Sequence, residues 1–277
     1  MNENFHIGIV GLGYVGKAIQ NGFISEKIYT FDIAEKCTED SLQSLSKKTD
    51  IIFICLPTPM NKRGECVTEI IDQTLIKINS FNRQHTVIIK STVPPGTSEH
   101  YQAQFKNLNI VFNPEFLTEA NFNYDFMNQK RIILGGDNLS QVESLYKKHF
   151  FSVEIVKLNY KEAEMVKYFS NSFLALKVSF ANEIYSLCKK LNIDYQTMIS
   201  VAVKDHRIGN SHLSVPGPDG KMGFGGSCFP KDVSALINIF ENNNVESLVL
   251  KAAWERNNNI DRKEQDWKLL KGRAVVE

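Results

Sequence analysis

Short runs that are apolar at nearly every position recur along the first part of the chain, at residues 5–10, 28–31, 50–56, 86–90, 109–112, 131–134 and 153–156. A strand without polar alternation has no solvent face, so both sides of its sheet must be covered. Between these runs, residues 14–23, 68–79 and 139–149 place apolar positions at helical spacing. Strands alternating with helices in this way predict an α/β fold with a doubly wound parallel sheet over residues 1–158.

From residue 159 the pattern changes. Residues 160–191 contain neither proline nor glycine and predict one unbroken helix of roughly 48 Å. Its apolar positions (Met165, Val166, Phe169, Phe173, Leu174, Leu176, Val178, Phe180, Ile184 and Leu187) cover more than one stripe. A helix apolar on several sides is buried on several sides, so this one is expected to cross the molecule and to contribute to a subunit interface. Further helices are expected at 195–203, 232–241 and 247–257, which makes residues 159–277 an all-helical domain built on the long central helix.

Composition narrows the possibilities. The 32 basic and 31 acidic residues nearly balance, and no long basic run offers a surface to nucleic acid or membrane. Cys37, Cys55, Cys66, Cys188 and Cys228 are scattered without CxxC spacing, and the six histidines show no ligand pattern. Neither a disulfide framework nor a bound metal is expected. No apolar run reaches the length needed to span a bilayer, and Met1 leads almost directly into a strand with no room for a signal peptide. The expected location is cytoplasmic.

Two segments carry candidate chemistry. Gly11-Leu12-Gly13-Tyr14-Val15-Gly16 follows the first strand and opens a helix. In that context Gly11 makes the tight turn, Gly13 admits a pyrophosphate and Gly16 lets helix and strand pack closely. Asp32 ends the second strand, where a carboxylate bonds ribose hydroxyls and favours NAD over NADP; Lys36 nearby weakens that preference. The sheet is therefore read as Rossmann-type. The second segment is Gly223-Phe224-Gly225-Gly226-Ser227-Cys228-Phe229-Pro230-Lys231-Asp232. It sets one cysteine between a glycine loop and a helix start marked by Pro230. A helix N-terminus and Lys231 both favour thiolate over thiol.

Three further segments complete the picture. STVPPGT at 91–97 and NPEFLTEA at 113–120 each follow a strand, at the sheet end where ligands of open α/β folds bind. Lys167 and Asn171 stand four residues apart, hence on one face of the long helix. Together with LPTP at 56–59 and Asp205-His206-Arg207-Ile208-Gly209, these motifs run in order along nearly the whole chain. The set resembles the UDP-glucose/GDP-mannose dehydrogenase family.

That resemblance implies a four-electron oxidation of a nucleotide sugar by two NAD, with UDP-glucose the foremost substrate and UDP-glucuronate, a polysaccharide precursor, the product. GDP-mannose and UDP-N-acetylhexosamines are the alternatives, and a binding-only protein without turnover is the reading from another class. The resemblance makes Cys228 the nucleophile, Lys167 and Asn171 the oxyanion donors, and Glu115 the base for thioester hydrolysis. Asp232 and Thr92 would position water or Lys167. It places Tyr14, Val15, Lys36, Thr58, Ser91, Thr92 and Glu119 at the cofactor beside the three glycines and Asp32. The sugar nucleotide would meet Glu115, Phe116, Leu117, Lys167, Asn171, Gly223, Phe224, Gly225 and Gly226. Arg207 would reach the substrate of a second subunit in a homodimer formed through the long helix. The resemblance also implies a further α/β domain beyond Glu277 that holds the nucleotide, and 211–222 reads as an insertion near the sugar pocket.

Overall fold

The computed structural model describes residues 4–276. Met1 and Glu277, on which the expectations about a leader and a further domain rest, lie outside the described residues. The chain divides into two compact units, Met1–Thr58 with Thr68–Lys167, and Pro59–Val67 with Tyr168–Glu277.

The first unit is a seven-stranded sheet: β1 His6–Val10, β2 Lys27–Phe31, β3 Ile51–Ile54, β4 His85–Ile89, β5 Leu108–Phe112, β6 Arg131–Gly135 and β7 Glu154–Leu158. Its helices are α1 Tyr14–Gly22, α2 Leu42–Lys48, α3 Glu69–Ser80, α4 Thr97–Gln104, α5 Phe122–Met127, α6 Ser140–His149 and the start of α7 Tyr160–Leu191. The strand order is β2-β1-β3-β4-β5-β6-β7. The consecutive apolar positions sort by parity into two cores. Ile7, Ile9, Ile51, Phe53, Ile88, Val111, Ile132 and Leu134 pack with α1 and α6 residues such as Ile19, Val142 and Leu145. Val10, Ile52, Ile54, Val87, Ile89, Ile110 and Ile133 pack with Ile71, Leu75 and Ile78 of α3 and Tyr101 of α4. This is the two-sided burial that the strand composition demands.

The sheet is parallel except at one seam: β5 and β6 meet antiparallel through Phe112 and Gly135, and β6 and β7 are again parallel. The link across the seam carries only the six-residue α5, whose Phe126 ring lies where a side chain on Gly22 of α1 would be. Helices α2, α4 and α5 were not anticipated. Each is short, and their apolar positions are too few to set a period.

The second unit contains the rest of α7, then α8 Tyr195–Ala202, α9 Phe229–Asn242 and α10 Leu248–Arg256, with a π-turn at Asn257–Asp261 and a 3-10 turn at Asp266–Leu269. The long helix runs over 160–191 as its composition predicts. A single cut at 158/159 differs from the observed division in two ways. The first two turns of α7 belong to the sheet unit, where Tyr160 and Ala163 join its core. Residues 59–67 belong to the helical unit: Met60 pairs with Cys66 and Val275, and packs with Trp267 and Ala274. That packing brings together segments more than 200 positions apart, which no local pattern announces. Isolated bridges at Met60, Cys66, Lys271 and Val275 are a small β exception in an otherwise helical unit. Val215, buried in the 211–222 segment, packs with Tyr195 and Leu213, so part of that insertion is core.

Candidate active site

In the first unit, β1 lies between β2 and β3, so the strand order reverses at β1, and ligands of doubly wound sheets bind at the carboxyl end of such a strand. Gly11 occupies that point at φ +94°, and a Cβ on it would come within 2.6 Å of the Cys55 carbonyl oxygen. A Cβ on Gly16 would stand 2.0 Å from the Gly11 carbonyl oxygen, whereas one on Gly13 would meet nothing within 4 Å. The glycines thus divide the work: two permit close backbone packing and the third leaves open space. That space adjoins the N-terminus of α1, which no side chain caps and whose N–H groups suit a phosphate.

Asp32 orders this turn. Its Oδ2 accepts from the Leu12 N–H at 2.6 Å, and its Oδ1 from Ala34 and Glu35 at 2.7 and 3.1 Å. Burial works to raise its pKa, but these backbone donors prevail and hold it below the usual range. Tyr14 is 40% exposed with its ring 5.4 Å from Phe122, and Val15 is half-buried. Lys36 is exposed at the rim.

The loop after β4 is pinned to the loop after β3. Ser91 Oγ donates to the Leu56 carbonyl at 2.6 Å, and Thr58 Oγ1 donates to the Thr92 carbonyl at 2.8 Å. After β5, Glu115 meets Lys167 from α7: the Lys167 ammonium donates to the Glu115 carbonyl at 2.6 Å and to its Oε1 at 3.2 Å. Glu115 Oε2 accepts from the Leu117 N–H at 2.7 Å. Burial pushes the Glu115 pKa up, but the Lys167 charge, the Leu117 N–H and the Lys90 charge bring it below the ordinary value. The ring of Phe116 lies 5.2 Å from the Lys167 ammonium and 5.1 Å from the Arg131 guanidinium. Glu119 is exposed.

In the second unit, Cys228 is the N-cap of α9, its carbonyl accepting the Asp232 N–H at 3.0 Å, with Pro230 in the first turn. The sulfur is half-buried and 3.7 Å from Ser227 Oγ. Asp232 is buried and held on two sides, by the Asn171 amide at 2.5 Å and by the Lys231 ammonium at 2.6 Å. Burial draws the Lys231 pKa down, but the charges of Asp232, Cys228 and Cys66 outweigh it and hold it above the ordinary lysine value.

The glycine loop before Cys228 is clamped from below. Asn182 accepts the Gly223 N–H at 3.1 Å, while Asn257 accepts from the Phe224 N–H at 2.8 Å and donates to its carbonyl at 3.0 Å. The Phe224 ring is core, stacked on Trp254 at 6.3 Å, and its backbone N–H and carbonyl are both taken by Asn257. A Cβ on Gly225 would fall 2.4 Å from the buried Arg262 guanidinium, and Gly226 is open at φ +74°. Arg207 is exposed and makes a bidentate pair with its own Asp205.

Two models of one family match in tandem: the NAD binding domain of the UDP-glucose/GDP-mannose dehydrogenase family over residues 33–150, and its central domain over 161–259. The chain belongs to that family. A UDP-glucose 6-dehydrogenase of Rickettsia bellii is 37% identical over 76% of this chain and 50% of its own length. The Bacillus subtilis UDP-glucose 6-dehydrogenase YwqF is 34% identical over 80% of this chain and 51% of its own. Among solved structures, a UDP-glucose dehydrogenase from Pyrobaculum islandicum superposes with a TM-score of 0.82 at 28% identity, over 92% of this chain and 68% of that one. The chain spans about half the length of the curated relatives it matches. NAD is the cofactor of the family's first domain, and the open face at Gly13, the uncapped α1 and the oriented Asp32 fit it.

Sequence reasoning passed over two buried residues beside this family's motifs. Lys90 is 4% exposed, donates to Asn113 Oδ1 at 2.8 Å and is brought down by burial to about 8. Its signal is a lysine closing an otherwise apolar strand. Glu164 lies fully buried three residues before Lys167. Among the described residues no helix is long and apolar enough to cross a membrane.

Proposed function

We propose that the chain forms the cofactor-binding and thiol-bearing part of a cytoplasmic nucleotide-sugar dehydrogenase that oxidises a sugar CH2OH to a carboxylate, with UDP-glucose as first substrate. The observation that carries this reading is Cys228 at the start of α9 beside Lys231, in a chain whose other unit is a family NAD-binding domain. Bound NAD would accept hydride from the sugar carbon, one cofactor molecule for each of two oxidations.

The chain's own residues handle the carbon between and after those oxidations. Cys228 Sγ adds to the aldehyde carbon, the C=O π bond opens and the proton given up by the thiol ends on that oxygen, giving a thiohemiacetal that keeps the aldehyde from escaping. The second oxidation leaves a thioester, and water then displaces the sulfur to give the carboxylate and the free thiol. Lys167 and Asn171, one turn apart on α7, are the donors for the oxyanion. Lys167 has three N–H bonds and makes two to Glu115, so one remains to give. Glu115 stays ionised at neutral pH under the Lys167 charge, which suits a carboxylate that receives a proton from water. Asp232 fixes the Asn171 amide, and Thr92 orders the cofactor-side loop. In the helical unit Gly225 and the open Gly226 would offer backbone to the sugar, and in the sheet unit Phe116 and Leu117 are the candidates for the same substrate.

The outward stripe of α7 supports a homodimer. Phe169 is 65% exposed, Phe180 63% and Leu191 58%, and Phe169 and Phe173 stack at 5.8 Å. A second copy of the chain would cover this face, and Arg207 would exchange Asp205 for that copy's sugar nucleotide.

The deciding experiment is NADH formed per UDP-glucose consumed by the 277-residue protein. Two NADH per sugar supports the four-electron reaction; one would limit the chemistry to the aldehyde. Turnover with GDP-mannose or a UDP-N-acetylhexosamine instead would change the sugar and keep the mechanism. Silence across that panel with NAD still bound would overturn catalysis by this span. A monomer by light scattering at micromolar concentration would remove the dimer and the role of Arg207.

A further inference from the structure

Glu164 is fully buried, and no step of the proposed chemistry uses it. A buried carboxylate is costly, and here burial pushes the pKa up to about 7, against the pull of the Ser98 and Gly96 N–H groups. Its position explains what that cost maintains. Oε2 accepts the Gly96 N–H at 2.5 Å and Oε1 the Ser98 N–H at 2.8 Å. These are donors at the start of α4, which has no side-chain cap because its N-cap, Gly96 (φ +97°), brings no side chain of its own. The segment entering α4 is the 91–97 loop, fixed at its other end by Ser91 to Leu56 and by Thr58 to Thr92. The loop is therefore held between two clamps, and the second belongs to α7, one turn before Lys167.

We propose that Glu164 is a positioning residue, a proton-dependent latch that fastens the 91–98 loop to α7 and so seats Ser91 and Thr92 for NAD. This rests on the reading of that loop as part of the cofactor site. When ionised, its two oxygens satisfy both N–H groups. When neutral, one oxygen carries the proton, so one N–H loses its acceptor while the cost of a buried charge disappears. Because the folded pKa lies above the ordinary 4.5, the stability gained by protonation is complete below that value. It is lost as pH rises through about 7. Loop order and overall stability thus move in opposite directions with pH. The groups facing the carboxylate are Ser98 and Glu99 of α4 and Tyr160 and Lys161 of α7. Glu99 strengthens proton binding, Lys161 is engaged by Glu99 at 2.8 Å, and the Tyr160 hydroxyl donates to the Ile110 carbonyl.

The test is Glu164→Gln, which has the shape of the neutral acid, compared with the unaltered protein at pH 6 and pH 8. Three quantities are read: hydrogen exchange of residues 91–104 corrected for intrinsic rates, melting temperature, and NAD affinity by calorimetry. At pH 8 the variant should exchange its Gly96–Ser98 amides about tenfold faster, the loss of one charge-assisted bond, and bind NAD several-fold more weakly, yet melt higher. At pH 6, where the folded carboxyl is mostly protonated, the exchange and affinity differences should nearly disappear, while the melting difference narrows and closes only below about 4.5. Glu164→Ala, with no acceptor, should exchange rapidly at both pH values. Glu164→Gln matching the unaltered protein at pH 8, or loop exchange and melting shifting in the same sense, would overturn the latch. None of these readouts needs turnover, so a protein inactive on every nucleotide sugar still decides the question. Failure of the latch leaves the Cys228 chemistry standing.

Discussion

Both units bury a lysine–carboxylate pair beside their candidate chemistry, and the two pairs are built oppositely. In the sheet unit, Lys167 and Glu115 are 52 positions apart and meet because α7 passes the end of β5. In the helical unit, Lys231 and Asp232 are neighbours in the first turn of α9. The first pair perturbs the acid: Glu115 is held ionised below its ordinary range. The second perturbs the base: Lys231 is held protonated above its range, with Cys228 among the charges responsible. A carboxylate kept charged suits proton acceptance from water. A cation kept charged beside a sulfur favours thiolate. On the proposed mechanism, the same two residue types, wired in different ways, would supply a base in one unit and an activated nucleophile in the other.

The largest expected effect falls on the sulfur. Cys228→Ser keeps the size of the side chain and the α9 start but replaces a good nucleophile with a poor one at neutral pH. Turnover to the carboxylate should drop by at least about a thousandfold, while NAD affinity, a property of the sheet unit, stays within twofold. Stopped NADH production with unchanged cofactor titration would place the Lys231 pair in service of the thiol. Retained turnover would sink that assignment.

The pairs themselves come next. Removing one partner of a buried pair costs about 3–5 kcal/mol, so Lys167→Met and Lys231→Met should both destabilise strongly in urea unfolding. Lys167 also donates to the Glu115 carbonyl, and losing that bond adds about 1 kcal/mol. Neutralising the stranded acid should then separate the pairs. Lys231→Met with Asp232→Asn should recover most of its loss, because an amide oxygen still accepts from Asn171. Lys167→Met with Glu115→Gln should recover less, because the carbonyl remains without its donor. Equal recovery would mean the carbonyl bond carries nothing.

The difference between the pairs also explains what the sequence could reveal. Gly11, Gly13 and Gly16, and the run from Gly223 to Asp232, are local: turn, helix start and chemistry lie within ten residues, so their pattern is readable. The strands were readable because β1, β3, β4 and β5 are covered on both faces, so their polar residues are few and confined to the first two positions of β1, β4 and β5. Helix α4 was not, since its start is completed by Glu164 from 66 positions away. The placing of 59–67 in the helical unit, the Lys167–Glu115 contact and the burial of Lys90 share that character. A lone Glu or Lys in a sequence reads as a solvated side chain, and only a partner distant along the chain makes it anything else. The Phe224 ring shows the converse: it sits within a readable motif but serves the core.

The smallest effect is expected at alkaline pH, where the two units should part company. Lys231 has a raised folded pKa, so its contribution to the helical unit is complete below about 10.5 and lost as pH rises through the folded value. Lys90 in the sheet unit has a folded pKa depressed to about 8, so charging it costs stability at neutral pH, and that cost is relieved as pH climbs from 8 towards 10.5. Glu164 has already lost its proton by then and adds no further change. Both tryptophans, Trp254 and Trp267, belong to the helical unit, so their fluorescence follows that unit alone while far-UV circular dichroism follows both. Between pH 9 and 11.5 the tryptophan transition should move to lower temperature by a few degrees, the size of shift that about 1 kcal/mol produces, and the dichroism should retain a later component. Coincident transitions across the whole range would mean that the units unfold as one body and that the opposed lysines offset each other within it.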